Sequence, residues 1–294
     1  MNRAPRRIFP LASLTLLSAA ISLSSHSLAD DQTKTCDSHD SECQASATSE
    51  SPPIDDNEMI TIPAGEYIRG CNKRDDPACW TDERPARKIY LNEFQIDKYQ
   101  VTNRRYRECF DVKACEAPWI GGACTWDEKN KDLDPVNCVD WNKALKYCQW
   151  RGKRLPSEAE WEKAARGTDQ FIYPWGNEAD YSCERAVIDA PSAGGLGCGT
   201  GSTLPVGSKP KGASPYGAMD MAGNLWEWVN DYYGFLYYPV SPETNPPGPE
   251  SGDYKVARGG DFFTRTNDPA IRTTTRFQYP QESYSYAIGF RCAQ

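Results

Sequence analysis

The stretch from Gly217 to Tyr233, Gly-Ala-Met-Asp-Met-Ala-Gly-Asn-Leu-Trp-Glu-Trp-Val-Asn-Asp-Tyr-Tyr, decides how the rest of the chain is read. On an extended backbone Trp226 and Trp228 fall on one face and Glu227 on the other. Two indoles require a core, and the carboxylate between them requires a partner. Asp220, Asn224, Asn230 and Asp231, with backbone carbonyls freed at Gly223, offer the oxygen-rich shell that a hard cation takes. An acidic turn whose Asp and Asn side chains cap their own backbone accounts for the same residues. The segment alone does not choose between the two.

Further motifs follow in order around it. Downstream come Arg258-Gly259-Gly260-Asp261-Phe262 and Gly289-Phe290-Arg291-Cys292. Upstream are Gly152-Lys153-Arg154-Leu155-Pro156-Ser157-Glu158-Ala159-Glu160-Trp161-Glu162 and Tyr173-Pro174-Trp175-Gly176-Asn177. With Ala222-Gly223-Asn224-Leu225-Trp226-Glu227-Trp228 these make five ordered motifs, and residues 57–294 resemble the formylglycine-generating enzyme (sulfatase-modifying factor) family. The resemblance implies one α+β domain with the C-type-lectin-like fold of that family, built from short strands, few helices and much ordered loop. Fold alone does not carry activity.

Residues 1–29 read as a secretory signal peptide: Arg3, Arg6 and Arg7 precede an apolar stretch from Ile8 to Leu23 and a small-residue exit at Ser27-Leu28-Ala29. Pro10 and the repeated serines leave no uninterrupted run long enough to span a bilayer, so no membrane insertion is expected. Cleavage near Ala29 delivers the chain to the periplasm or outside the cell. Twelve cysteines agree with an oxidising destination. A zinc site is disfavoured, since there is no Cys-x-x-Cys pair and the two histidines are His26 and His39. The formal charge of -8 becomes three units more negative when the signal arginines leave, a surface that repels nucleic-acid phosphates and anionic lipids.

Residues 30–56 are polar and poor in large apolar side chains, the composition of a disordered linker in which Cys36 and Cys43 close a local loop. The domain then opens at Met59 with a hairpin, Met59 to Pro63 pairing Gly65 to Gly70, followed by an alternating strand from Ile89 to Gln95. Helices are predicted after Thr102, with Tyr106, Cys109 and Phe110 on the packed face, and after Asp140, with Trp141, Ala144, Leu145 and Cys148. The clearest starts at Ser157, where Glu160 completes a capping box; Glu158, Glu160 and Glu162 read as cap and solvent-face residues. Between Tyr173 and Gly217 a Gly- and Pro-rich stretch carries Cys183 and Cys198 around a loop, and a Tyr-, Pro- and Gly-rich loop fills Tyr232 to Tyr254.

The family resemblance implies copper chemistry, in which two cysteines just after the Gly-Gly turn hold Cu(I) as thiolates. Soft Cu(I) requires sulfur. The matching positions here are Thr264 and Pro269, so no copper is expected. Asp261 stands where the family usually has Ser, and Ala287 where Asn is common, which alters the peptide cleft. A second branch of the fold uses iron held by histidines of an attached helical domain, and residues 57–294 contain no histidine. The same lack removes the commonest general base. Candidate cleft residues are Arg258, Asp261, Arg265, Arg272 and Arg276.

The resemblance further implies a structural Ca²⁺ at one site, with Gly223, Asn224, Leu225 and Glu227 as its residues, and a disulfide between Cys148 and Cys292. Cys71 with Cys79 and Cys183 with Cys198 pair locally, while Cys109, Cys115, Cys124 and Cys138 allow three connectivities. Three functions follow: a binding or scaffold module for a peptide, glycan or partner protein; a divergent export-compartment enzyme similar to cysteine-lacking relatives that mature a secreted metabolite such as a siderophore; and formylglycine generation on sulfatases.

Overall fold

Capping chemistry sets where the helices begin. The Thr102 side chain accepts from the Arg105 amide to start α1 (Asn103–Asp111), and Asp140 accepts from the Lys143 amide to start α2 (Trp141–Trp150). Ser157 and Glu160 form the full reciprocal capping box of α3 (Glu158–Arg166). A single turn, α4 (Tyr237–Val240), lies far downstream. On α1 Tyr106 and Cys109 are buried as expected, but Phe110 is 39% exposed and only covers the edge of Trp126. The computed structural model describes residues 54–294; the stretch expected to be a signal peptide, most of the expected linker, Cys36 and Cys43 lie outside the described residues. Asp56, read as linker, is buried in the domain, where it accepts from the Thr102 hydroxyl and pairs with Arg104.

The opening strands pair differently from the expected hairpin. β1 (Met59–Ile62) runs antiparallel to β4 (Phe94–Asp97), and β2 (Gly65–Arg69) to β3 (Arg87–Leu91), in two separate two-stranded sheets. β1 and β2 do not pair with each other. The buried Lys163 ammonium holds the bend by donating to the carbonyls of Pro63 at 2.6 Å and Gly65 at 3.1 Å. The single strand read from Ile89 to Gln95 is likewise divided at Asn92-Glu93, because its two halves serve different sheets.

A four-stranded sheet organises the second half: β5 (Trp226–Tyr232), β6 (Tyr254–Arg258), β7 (Arg276–Pro280) and β8 (Ile288–Phe290), in the order β7-β6-β5-β8. β8 runs parallel to β5, with Trp226 opposite Ile288 and Trp228 opposite Phe290. Both faces of β5 are covered. Trp228 packs with Tyr106, Tyr147 and Phe290, while Val229 joins Trp161 and Ile62 in a second cluster. The Trp228 indole donates to the Val139 carbonyl at 3.0 Å, so its one polar atom is satisfied in the core.

Ten cysteines form five disulfides: Cys71–Cys79, Cys109–Cys115, Cys124–Cys138, Cys148–Cys292 and Cys183–Cys198. The two middle pairings were open from sequence, and both are local. Cys148–Cys292 differs in kind, joining α2 to the residues after β8 across 144 positions. By chain entropy, closing so long a loop stabilises the fold by about 5 kcal/mol. Replacing Cys148 and Cys292 together by Ala should lower the unfolding free energy by about that amount in guanidinium titration, and a double variant as stable as the parent would refute the staple's role.

Candidate functional site

Glu227 is fully buried near the start of β5, and all of its acceptor capacity is used. Arg291 grips it in a fork, Nε to Oε2 and a terminal nitrogen to Oε1, both at 2.7 Å. The Trp161 indole donates to Oε2 at 2.8 Å and the Gln100 amide to Oε1 at 3.0 Å. Arg291 also donates to the carbonyls of Asp97, Lys98 and Met219. In this arrangement the guanidinium takes the oxygens that the expected Ca²⁺ would use. The Asn224 side-chain amide exchanges hydrogen bonds with the backbone of Leu204. The Leu225 carbonyl accepts from Gln100. The Gly223 carbonyl accepts no hydrogen bond among the described residues. Glu227→Ala leaves a buried guanidinium unpaired and should cost about 3–5 kcal/mol. That loss should be equal in calcium and in chelator; a loss seen only with calcium present would support the ion-binding assignment.

The arginines expected in the cleft are elsewhere. Arg258 is fully buried and donates to Glu158 at 2.8 Å and Glu162 at 2.9 Å, both on α3. Arg276 closes a fork on Glu158 at 2.6 and 2.9 Å. Arg272 grips Glu83 with two nitrogens at 2.7 Å and reaches Asp76 at 2.6 Å. Glu158 and Glu162 are therefore interior anchors rather than solvent-face residues. Burial alone would raise the Glu158 carboxyl, but Arg276 and Arg258 outweigh it and hold the group down at about 2. Arg265 is the exception, with its side chain 85% exposed and directed at Asp189.

Asp261 remains, and it lines a cavity of about 270 Å³. The chain reaches it through Gly259 and Gly260, at φ 102° and 75°, which turn the backbone out of β6. A side chain at Gly260 would strike Ile271 at 2.9 Å. Trp226, Phe263, Phe277 and Trp80 supply aromatic wall, with Thr264, Asp268, Ala270 and Thr275 between them. Trp226 and Phe277 lie 5.4 Å apart between ring centroids. On β7 Arg276 is buried and Phe277 exposed, so one strand feeds the ion-pair network with one face and the cavity with the other. Phe263, Phe277, Trp80 and Asp268 escaped the sequence reading. The period-2 alternation of Arg276 and Phe277 was the available signal.

Residues 44–294 match the sulfatase-modifying factor enzyme 1-like domain family. The chain belongs to that family. Among its relatives is the formylglycine-generating enzyme of Thermomonospora curvata, 34% identical over 80% of this chain and 92% of that protein. A serine/threonine-protein kinase of Chlamydia caviae is 34% identical over 81% of this chain, which spans only 38% of the kinase. Among solved structures, PvdO from Pseudomonas aeruginosa superposes with a TM-score of 0.66 at 27% identity, covering 80% of this chain and 93% of that one.

Thr264 and Pro269 are the positions at which the resemblance implies the copper cysteines. Thr264 donates its hydroxyl to Asp261 at 3.1 Å, and Pro269 opens the short turn Pro269–Ile271, whose Ala270 borders the cavity. Every cysteine among the described residues is in a disulfide, so none offers a thiolate. Asp261 carries the site's titratable chemistry: burial pushes it up to about 6, against hydrogen bonds from the Phe263 amide and from Thr264. The native state thus holds this proton to higher pH than the unfolded chain does, and Asp261 withdraws stability as pH rises from about 4 to about 6. Asp261→Asn should flatten the fall in melting temperature across that window and leave the fold more stable above it. An unchanged pH profile would show that Asp261 titrates as an ordinary exposed carboxylate.

Proposed function

We propose that this chain is an exported binding or scaffold module of the sulfatase-modifying factor family, one that keeps the cleft and has given up copper oxidation. The observation behind this reading is the cavity at the copper position, walled by Trp226, Phe263, Phe277 and Trp80 and holding no thiol. Aromatic walls with a few fixed polar groups suit recognition of a peptide or glycan. Cu(I) has no soft ligand pair there. Five disulfides accord with a periplasmic or secreted location, and no helix among the described residues is long and apolar enough to cross a membrane.

A second reading, a divergent enzyme maturing a secreted metabolite, draws on Asp261. A carboxyl held at about 6 inside a cavity is suited to proton transfer near neutral pH. It would require that a secreted product disappear when the gene is deleted and return with the wild-type gene but not with Asp261→Asn.

The binding reading is tested on two fronts. Supplied with Cu(I) and oxygen, the purified chain should form no aldehyde on a Cys-x-Pro-x-Arg peptide. On peptide and glycan arrays it should capture a restricted set of ligands, and Thr264→Trp, which fills the cavity, should abolish that capture. Aldehyde formation, or capture indifferent to Thr264→Trp, would overturn the reading.

A further inference from the structure

The cavity at Asp261 is acidic without compensation. Asp261 and Asp268 are its charged residues, and no lysine or arginine lines it. The arginines nearest in sequence are committed elsewhere: Arg258 to Glu158 and Glu162, Arg272 to Glu83 and Asp76, Arg276 to Glu158, and Arg265 toward Asp189. Each carboxylate is half used. Asp261 Oδ1 accepts from the Phe263 amide at 2.9 Å and the Thr264 hydroxyl at 3.1 Å, and Asp268 Oδ1 accepts from the Ala270 amide at 2.9 Å. No described residue donates to the other oxygen of either. Asp261 is nevertheless only 8% exposed. A carboxylate nine-tenths buried, with its free oxygen open to the cavity and a second carboxylate in the same lining, lacks a counter-charge.

The walls narrow what can supply it. Trp226 comes from β5, Phe277 from β7, Phe263 from the turn after β6 and Trp80 from the segment before β3, so four separate stretches bring aromatic rings to one cavity. Aromatic faces carry negative electrostatic potential and attract cations, ammonium groups above all. An anion would meet two carboxylates. A neutral apolar molecule would cover the walls and leave both carboxylates desolvated. A hydrated metal ion would waste the rings. At about 270 Å³ the space is below drug size and matches a small head group.

We infer that the Asp261 cavity is a binding site for an alkylammonium group, held by Asp261 and Asp268 against the rings of Trp226, Phe263, Phe277 and Trp80. The inference rests on the reading of the cleft as a binding site and names the chemistry it selects. Such a group has two sources, a free quaternary amine or the side chain of a peptide lysine.

Titration calorimetry on the mature chain separates them, with tetramethylammonium chloride and N-acetyl-lysine methylamide as probes and tert-butyl alcohol and acetate as controls. At least one ammonium probe should bind saturably, roughly 10-fold or more tighter than the neutral alcohol, with acetate not binding. Preference for tetramethylammonium assigns the free amine, and preference for the lysine amide assigns a peptide. Asp261→Asn should weaken the ammonium probe by roughly 10-fold, and Asp268→Asn, which leaves the inner carboxylate in place, should weaken it less. Circular dichroism checks that both variants fold. Equal affinity for alcohol and ammonium, binding of acetate, no binding of either ammonium probe, or indifference to Asp261→Asn would each overturn the inference. The binding reading would survive any of these if array capture still depended on Thr264, and would fall with it only if that dependence were also absent.

Discussion

The forked ion pair between Glu227 and Arg291 is the constraint from which the rest of the architecture follows. Its two charges are fully buried, and desolvating them is costly unless every donor and acceptor is met. Meeting them recruits distant parts of the chain. Gln100 arrives from the segment after β4, Trp161 from α3, the carbonyls of Asp97 and Lys98 from the end of β4, and that of Met219 from the segment before β5. A network of this kind is worth little as raw stabilisation, but it tolerates only one arrangement of the elements that contribute to it. Trp226 and Trp228 flank Glu227 on the same strand, so fixing the carboxylate also fixes which way both indoles point.

A second network follows the same logic one layer away. Glu158 and Glu162 on α3 draw Arg258 and Arg276 from β6 and β7 into the interior, and Glu83 draws in Arg272. On β7 the strand period then sends Phe277, next to Arg276, outward. The aromatic, acidic character of the cavity is thus partly a by-product of how the sheet is anchored to α3: positive charge moves in, and rings and carboxylates are left on the cleft side.

What could be read from the sequence was what short-range chemistry decides. The caps at Thr102, Asp140 and Ser157 and the local disulfides depend on residues a few positions apart. Partners far along the chain were not legible from residue patterns. Glu227 and Arg291 are 64 positions apart, and Arg276 and Glu158 are 118. From its own segment, Glu227 presents the same oxygens to a calcium ion as to a guanidinium, so nothing near it in sequence announces Arg291. The opening hairpin failed for a related reason. Two alternating strands joined at Pro63 look alike whether they pair with each other or with β3 and β4, and the Lys163 ammonium that settles the matter lies on a helix 100 residues on.

Arg291 also imposes an order of events on folding. Synthesis runs from the amino terminus, so Glu227 emerges well before its counter-charge, and β5 before the parallel strand β8 that covers it. Until residue 291 is available, a buried Glu227 would be an uncompensated anion, and the second half of the domain cannot close. Cys292, one residue beyond the arginine, closes the disulfide to Cys148 at the same point, so the counter-charge and the long-range covalent staple of the sheet arrive together.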